Sequence, residues 1–381
     1  MSHRRHASSE ATLPENVTID IISRLPIKTI ISCKCVCKKW RDIVADPRFV
    51  DLHLSRSREA LMIHEGKIFD WPGTLKWPEI GQEINYHLAD PEVKILDLKH
   101  CAPIAGSKLC SVNGLICYSQ EDGSVFVCNP ILGDHMTLPR PPLGDLATVG
   151  YGFGVSREGE YKVIRISSRR VSVNPEETRF FTVEIEVYTL GTDRWRSLGE
   201  TPFHLDLTWP FGGSVCLDSH VYWFPGHGHM YVFDLVTERF AEFRSPLTPQ
   251  HNRGRVGVLK GSLSCISWCS YGMEVWVLKE FWHKEMDIQE SIKPFLEFRV
   301  WNPLCIIDGL KGTGVLLVYA PIVHKLMAYC LDTNTTLRLN SRGFFLKETI
   351  YAEECSFYRP SFVKLNNFGS DQLVVSTNST Y

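Results

Sequence analysis

The sequence predicts an α+β multidomain protein in which a small helical bundle precedes an all-β propeller of about six blades. Two observations carry this prediction. Near the start of the chain, apolar residues recur at helical spacing and are interrupted by Leu-Pro pairs. Further on, short apolar or aromatic strands alternate with tight polar turns and return in groups every ~40 to 50 residues, the period of a propeller blade. The predicted divisions are a disordered tail at 1–12, a helical domain at 13–58 and the propeller domain at 59–381.

The first predicted helix starts at the pair Leu13-Pro14. A proline is tolerated in the first turn, because its missing N–H has no partner there. After it, Val17, Ile21 and Leu25 recur at a spacing of four residues. Such a stripe is typical of a short amphipathic helix.

Pro26 separates this helix from the second one, since a proline pushes the preceding residue out of the α region and can itself begin a helix. The third predicted helix carries a stripe formed by Val36, Trp40, Ile43 and Val44. The pair Asp46-Pro47 is predicted to end it. We therefore expect three helices of about ten residues each. A segment of this size buries too little surface to be stable alone, so something else is expected to cover its apolar faces.

Several of these features stand in one order: Leu13-Pro14, Leu25-Pro26, the run from Cys35 to Trp40, and the run from Asp46 to Phe49. Together they resemble the F-box of plant proteins. In that family the F-box binds a Skp-type adaptor, and through it a cullin, in a ubiquitin ligase. The resemblance implies an adaptor-facing or inter-helix apolar surface formed by Leu13, Pro14, Ile21, Leu25, Pro26, Ile30, Val36, Cys37, Trp40 and Ile43.

Residues 13–58 are open to two other interpretations. A DNA-binding helix-turn-helix would place basic side chains on phosphates. The segment has nine Lys or Arg against five Asp or Glu, net +4, a modest charge for affinity that rests on phosphate neutralisation. Residues 59–381 carry a net charge of −7, and we predict no nucleic acid partner. Alternatively, Val36, Trp40 and Ile43 form only the core of the bundle; the sequence alone does not divide the stripe between core and interface.

The 13 cysteines are expected to be reduced thiols, because no apolar secretory signal precedes them. The chain is accordingly predicted to be soluble and intracellular, in the cytoplasm and/or nucleus. Cys33, Cys35 and Cys37 alternate, which scatters them around a helix, and they lack the spaced partners of a zinc site. The longest apolar run, at 314–323, is too short to span a membrane. No cofactor, metal or membrane partner is predicted.

The propeller prediction rests on five readable strand-turn-strand units. The clearest runs from Gly213 to Pro246, with turns at Asp218-Ser219 and around Asp234 to Arg239. The third strands of the units begin near Val125, Val187, Tyr231, Glu274 and Leu326. Residues 60–98 are expected to form another unit, and the segment SFYRPSFVKL to close the ring. Six blades follow.

The repeats also resemble a family, the F-box-associated domain of plants, which is similar to the kelch type of propeller. The residues that carry this resemblance are Asn113 to Cys117, Asn129-Pro130, Gly152 to Gly154, Tyr161 to Val163, Val187-Tyr188, Trp195 to Leu198, Val221 to Trp223, Phe233-Asp234, Glu238 to Phe240 and Val275 to Val277.

Signals of catalysis are weak throughout the chain. The run from Gly150 to Gly154 leads into a strand, whereas phosphate-binding loops open a helix, so close packing explains it better. His227 and His229 lack a spaced third ligand for a metal. No nucleophile elbow or His-Glu-x-x-His motif occurs. No catalytic residue is predicted.

Most tryptophans recur about once per repeat and are expected in the core between blades. Residues outside the strand pattern are candidates for binding a target protein, because propeller loops are free to vary. They are Arg169, Arg170, Trp209, His227, His229, Trp282 and His283. The favoured hypothesis is a non-catalytic substrate receptor of a Skp-cullin-F-box ligase. The alternatives are a stand-alone kelch-like binding module without ligase association and, last, a propeller enzyme.

Overall fold

The structure is a computed structural model, and the statements below concern the residues that it describes. These are 13–57, 60–65, 74–80, 93–98, 109–119, 123–141, 147–171, 180–201, 213–226, 228–247, 253–269, 272–287, 302–308, 314–320, 325–333, 335–338, 355–368 and 373–375. The predicted tail at 1–12 lies outside them.

Residues 13–57 form four short α-helices. They are α1 (Glu15–Ile22), α2 (Ile27–Val36), α3 (Lys38–Ala45) and α4 (Pro47–Arg56). The predicted boundary at the second Leu-Pro pair is confirmed, since Pro26 is the residue that directly precedes α2. The prediction of only three helices is wrong.

The pair Asp46-Pro47 ends the third helix as predicted, since α3 stops at Ala45. The same pair also begins α4, the helix that the prediction lacks. The Asp46 carboxylate accepts a hydrogen bond from the backbone N–H of Arg48 at 2.8 Å, and Pro47 occupies the first helical position. Both residues are favourable there, because a capping oxygen satisfies a free N–H and proline lacks one. Val36 was also misplaced, since it ends α2 and extended Cys37 separates it from α3.

The remainder of the described chain consists mainly of antiparallel β-strands. Their bounds are β1 (Ala60–Glu65), β2 (Thr74–Ile80), β3 (Val93–Leu98), β4 (Leu109–Val112), β5 (Leu115–Ser119), β6 (Val125–Asn129), β7 (Asp134–Thr137), β8 (Ala147–Val155), β9 (Tyr161–Val171), β10 (Phe180–Thr189), β11 (Trp195–Glu200), β12 (Val215–Leu217), β13 (His220–Gly226), β14 (His229–Asp234), β15 (Phe240–Arg244), β16 (Arg253–Leu259), β17 (Ser262–Cys269), β18 (Gly272–Leu278), β19 (Trp282–Asp287), β20 (Asn302–Asp308), β21 (Gly314–Ala320), β22 (Lys325–Cys330), β23 (Thr335–Arg338), β24 (Cys355–Tyr358) and β25 (Leu373–Val375).

Among the described residues the strands form six sheets, which are the blades of a propeller. Blade 1 is β24-β1-β2-β3, blade 2 is β4 to β7 with β25 at its outer edge, and blades 3 to 6 are β8 to β11, β12 to β15, β16 to β19 and β20 to β23. The first strands of neighbouring blades lie side by side around the ring. The predicted number of blades is confirmed.

The ring is closed by a strand from near the end of the chain. In β24, Phe357 pairs with Leu61 and Cys355 pairs with Ile63 of β1. The predicted role of residues 60–98 and of the SFY segment is thus confirmed. After β24 the chain leaves the sheet and forms a 3-10 helix at Leu365–Phe368, whereas the sequence analysis expected the strand to continue. Closure joins the first and last parts of the propeller in one blade.

Tryptophan side chains link each of three blades to the blade before it. Their indole N–H groups donate to backbone carbonyls: Trp195 to Pro139 at 2.7 Å, Trp223 to Tyr151 at 2.9 Å and Trp282 to Arg244 at 3.2 Å. The ring of Trp223 is fully buried. Each such residue combines apolar burial with a satisfied polar atom.

Gly152 of β8 makes room for the ring of Trp223. A Cβ atom at Gly152 would lie 2.1 Å from Cζ2 of that ring, well inside the distance at which two carbon atoms can approach. The prediction that the run from Gly150 to Gly154 serves close packing is confirmed. Gly254 has the same role in blade 5, where a Cβ would lie 2.4 Å from Cε1 of Phe224.

The helical bundle shares one hydrophobic core with the propeller. On the bundle side the buried residues include Ile22 and Phe49, and on the propeller side Ile116, Tyr118, Cys128, Ile131, Tyr358 and Phe362. The ring of Phe362 lies 5.8 Å from that of Phe49 and 5.0 Å from that of His53, between centroids. The propeller itself therefore covers one face of the bundle.

The segment after β24 lies between these two parts. Ser57 donates from Oγ to the carbonyl of Pro360 at 2.8 Å, which ties the end of α4 to this segment. The side-chain amide of Asn129 donates to the carbonyls of Ser361 and Val363 at 3.1 and 2.8 Å. We call residues 359–364 the junction segment. It links the helices to blade 2.

Candidate functional site

Four large apolar side chains of the bundle are uncovered. Leu13, Val17, Ile21 and Val36 are 56, 38, 46 and 64% exposed. Among the described residues the only other exposed large apolar side chain is Phe281. We call these four residues of the bundle the apolar face. Several exposed large apolar side chains in so short a segment are typical of a surface that binds another molecule.

The two sides of α1 explain how the apolar face arises. Ile19 and Ile22 point into the shared core and are buried, whereas Val17 and Ile21 lie on the opposite side of the same helix. The helix is therefore apolar on two sides. A helix of a solvent-facing bundle normally needs only one apolar stripe, so the second stripe is available for a partner.

The structure divides the residues predicted for adaptor binding into two groups. Leu13, Pro14, Ile21, Pro26, Val36 and Cys37 are exposed. Ile30 and Ile43 are buried in the bundle core, and Leu25 and Trp40 are partly buried against it. Of the three residues for which a core role was the alternative, Ile43 is buried and Trp40 is partly buried, whereas Val36 is exposed. Val17 belongs to the apolar face but was absent from the predicted set.

Salt bridges hold the polar parts of the bundle together. Arg48 contacts Asp46 at 2.8 Å and Glu15 at 2.8 Å, which joins the starts of α4 and α1. Asp20 accepts hydrogen bonds from Arg24 and Arg56, and these keep the pKa of its carboxyl below the ordinary value. The arrangement positions α1, and with it two residues of the apolar face, against α4.

Four of the residues predicted for target binding have undescribed side chains. Trp209 and His227 lie outside the described residues. Arg169 and Arg170 are part of β9, pairing with Thr182 and Phe181, and their side chains are outside the described set.

The other three predicted residues differ in their surroundings. His229 is exposed and its Nδ1 contacts the carboxylate of Glu242. Trp282 packs in the core between blades 4 and 5, which limits it largely to a structural role. His283 is exposed on β19.

These residues do not form one surface. Turns between the third and fourth strands of all blades lie on one face of a propeller, and those between the second and third strands on the other. Trp282 and His283 follow a turn of the first kind. Ile131, which packs against the bundle, lies in another turn of that kind, between β6 and β7. His229 follows a turn of the second kind, and β9 carries Arg169 and Arg170 toward the same face.

Phe281 was missed by the sequence analysis. It is 75% exposed in the turn between β18 and β19, on the bundle side of the ring and three blades from the junction. Its neighbours Lys279 and Glu280 are charged and exposed. An aromatic residue directly after two charged residues in a hairpin turn is the signal that could have identified it.

Buried charges of the propeller are paired within the fold. Arg165 contacts Glu186 at 2.6 Å across paired strands, and both side chains are nearly inaccessible. Burial raises the pKa of the Glu186 carboxyl. Lys162 contacts Glu238 of the next blade at 3.0 Å and so links blades 3 and 4. These pairs hold structure together, because each partner lies in a strand or tight turn of the scaffold.

Within the part of the chain that the structure describes, no group of three or more His, Cys, Asp or Glu side chains lies in an arrangement that could hold a metal ion. None of the described helices has the length and apolar character needed to cross a membrane.

A helical bundle with an uncovered apolar face, built onto a six-bladed propeller, defines a binding protein with two recognition parts. Comparison with known families agrees with both parts. Residues 11–52 match the model of the F-box domain, and residues 80–365 match that of the F-box associated beta propeller domain. The chain belongs to the family of F-box proteins that carry this propeller domain.

Relatives from Arabidopsis thaliana match over most of their length. An F-box/kelch-repeat protein is 24% identical over 366 residues, covering 90% of this chain and 88% of the relative. An F-box protein is 28% identical over 348 residues, covering 81 and 80%. The F-box protein CPR1 is 26% identical over 328 residues, covering 76% of each chain. These matches support a role in substrate recognition.

Proposed function

We propose that this protein is the substrate-recognition subunit of a Skp-cullin-F-box ubiquitin ligase. The helical bundle binds a Skp-type adaptor through the apolar face, and the adaptor connects it to a cullin. The propeller captures a target protein for ubiquitination and degradation. The chain itself makes no bond, and it contributes proximity between the target and the ubiquitin carrier.

The observation that carries this proposal is the apolar face of an F-box bundle. One face of the bundle is covered by the propeller, so the bundle does not need a partner to bury its own core. The exposed Leu13, Val17, Ile21 and Val36 have no such internal explanation. Exposed apolar area of this kind favours association with a complementary surface.

Adaptor binding is tested with the intact chain and a purified Skp-type adaptor, by calorimetry or by pull-down. Val17→Glu and Val36→Glu place a carboxylate within the apolar face without touching the core, and either change is expected to weaken binding at least about tenfold. Phe281→Glu is the matched control, since it places the same charge on an exposed apolar residue of the propeller. Equal affinity in all variants would contradict the proposal.

Target capture needs a separate experiment in cells. Proximity labelling with the intact chain is compared with labelling by a Val36→Glu chain in which adaptor binding is lost and the propeller is unchanged. A target is expected to be labelled by both chains and to accumulate only with the variant. If no labelled protein accumulates, the degradation step of the proposal is wrong.

The stand-alone binding module is the second candidate. It predicts that the apolar face stays solvent-exposed and that the wild-type chain has no measurable affinity for the adaptor. The same binding measurement therefore separates the two functions.

A further inference from the structure

The charged side chains of the bundle fall into two groups that differ in whether they have a partner. All four arginines of residues 13–57 contact a carboxylate of the bundle: Arg24 with Asp20 at 3.1 Å, Arg41 with Asp42 at 3.9 Å, Arg48 with Asp46 at 2.8 Å and Arg56 with Asp20 at 2.6 Å. Their charge is neutralised locally.

The lysines behave differently. Lys34 is partly buried on the propeller side, where Lys364 and Asp134 are its charged neighbours. Lys28, Lys38 and Lys39 are exposed, and none of them has a carboxylate within 4.0 Å in the described part of the chain. The bundle thus presents three unpaired ammonium groups.

These three lysines border one end of the apolar face. Lys38 and Lys39 follow Val36 after a single residue, Cys37, at the exposed corner between α2 and α3. Lys28 lies on α2 two turns before Cys35, on the same side of that helix. Val36 is the most exposed residue of the apolar face, so a partner that covers it lies beside Lys38 and Lys39. Lys28 is about 12 Å farther along α2, within the span of a protein partner's contact surface.

We propose that the partner which covers the apolar face carries a rim of carboxylates opposite Lys28, Lys38 and Lys39. This inference rests on the proposed function and names the chemistry of the adaptor's contact surface. An apolar surface without charged neighbours would bind any hydrophobic surface. A border of positive charge favours a partner whose own apolar surface is bordered by carboxylates. Opposite charges also accelerate the encounter, an effect that salt screens.

The test measures association rates of the intact chain with a purified Skp-type adaptor at 50 and 500 mM NaCl, by surface plasmon resonance. The wild-type rate is expected to fall about tenfold or more at the higher salt concentration. In the Lys38→Glu, Lys39→Glu double variant the rate at low salt is expected to be at least about tenfold lower and to depend far less on salt. Lys279→Glu is the control, because Lys279 is exposed on the propeller without a salt-bridge partner among the described residues.

The outcomes separate this inference from the proposed function. If Val36→Glu abolishes binding while the lysine variant retains the wild-type rate and salt dependence, the carboxylate rim is wrong and adaptor binding stands. If Lys279→Glu lowers the rate as much as the double variant, the effect comes from net charge and the local inference is also wrong. If the wild-type chain does not bind the adaptor at all, the proposed function fails, and this inference fails with it.

Discussion

Phe362 is the residue through which the helical bundle and the propeller are most directly joined, so its truncation gives the sharpest test of the shared core. The side chain is 1% exposed and packs edge-on against both Phe49 and His53. Replacing a buried Phe by Ala costs about 3–5 kcal/mol, because apolar contacts are lost and a cavity remains. The aromatic pairs contribute about 0.5–1.5 kcal/mol each within that total.

We expect Phe362→Ala to lower the free energy of unfolding by about 3–4 kcal/mol in a urea titration. Hydrogen exchange shows where the protein is destabilised. If the lost packing is confined to the junction, the backbone amides of α1 to α4 exchange faster, whereas those of β13 in blade 4 keep their protection. Phe281→Ala is the control. This exposed Phe is expected to change stability by less than about 0.5 kcal/mol.

Two results would refute the reasoning. One is a destabilisation by Phe362→Ala below about 1 kcal/mol, which would mean that the shared core does not exist in solution. The other is faster exchange in β13 to the same extent as in the helices, which would mean that the residue supports the whole ring and not the junction.

Three further predictions concern single sites. Gly152→Ala places a methyl group against the Trp223 ring and is expected to lower stability by about 1–3 kcal/mol, with a changed tryptophan emission in the native state; an unchanged unfolding midpoint would contradict the packing argument. Burial lowers the pKa of His53 to about 4. Between about pH 6.5 and about pH 4, His53 is therefore neutral in the folded protein and protonated in the unfolded chain. The free energy of unfolding should fall by up to about 3 kcal/mol over this range, and it should fall by less in the His53→Leu variant. Asp46→Ala removes the cap of α4 and should cost about 1 kcal/mol, whereas Asp46→Asn should retain most of that stability, as urea titrations of both variants would measure.

The sequence by itself predicted the division into helices and blades and the number of blades. Tight turns such as Asp218-Ser219 bound strands, and groups of strands separated by such turns recur along the chain at uneven intervals, so a local pattern is sufficient to find most blades. The turn itself is as expected, with positive φ at both Asp218 and Ser219. The pair Asp46-Pro47 ends α3 as predicted, but the start of α4 at the same pair was missed, because these two residues are typical of the end of one helix and of the start of another.

Only the tertiary structure decided how the apolar residues of the bundle are used. The sequence shows three isoleucines in α1, Ile19, Ile21 and Ile22. Which of them is buried depends on the position of Phe362 in the junction segment, more than 300 residues away in the chain. The propeller covers Ile22 and leaves Ile21 exposed. Burial is a property of contacts between distant segments, whereas periodicity is a property of neighbours, so the sequence could not separate the exposed apolar residues from the buried ones.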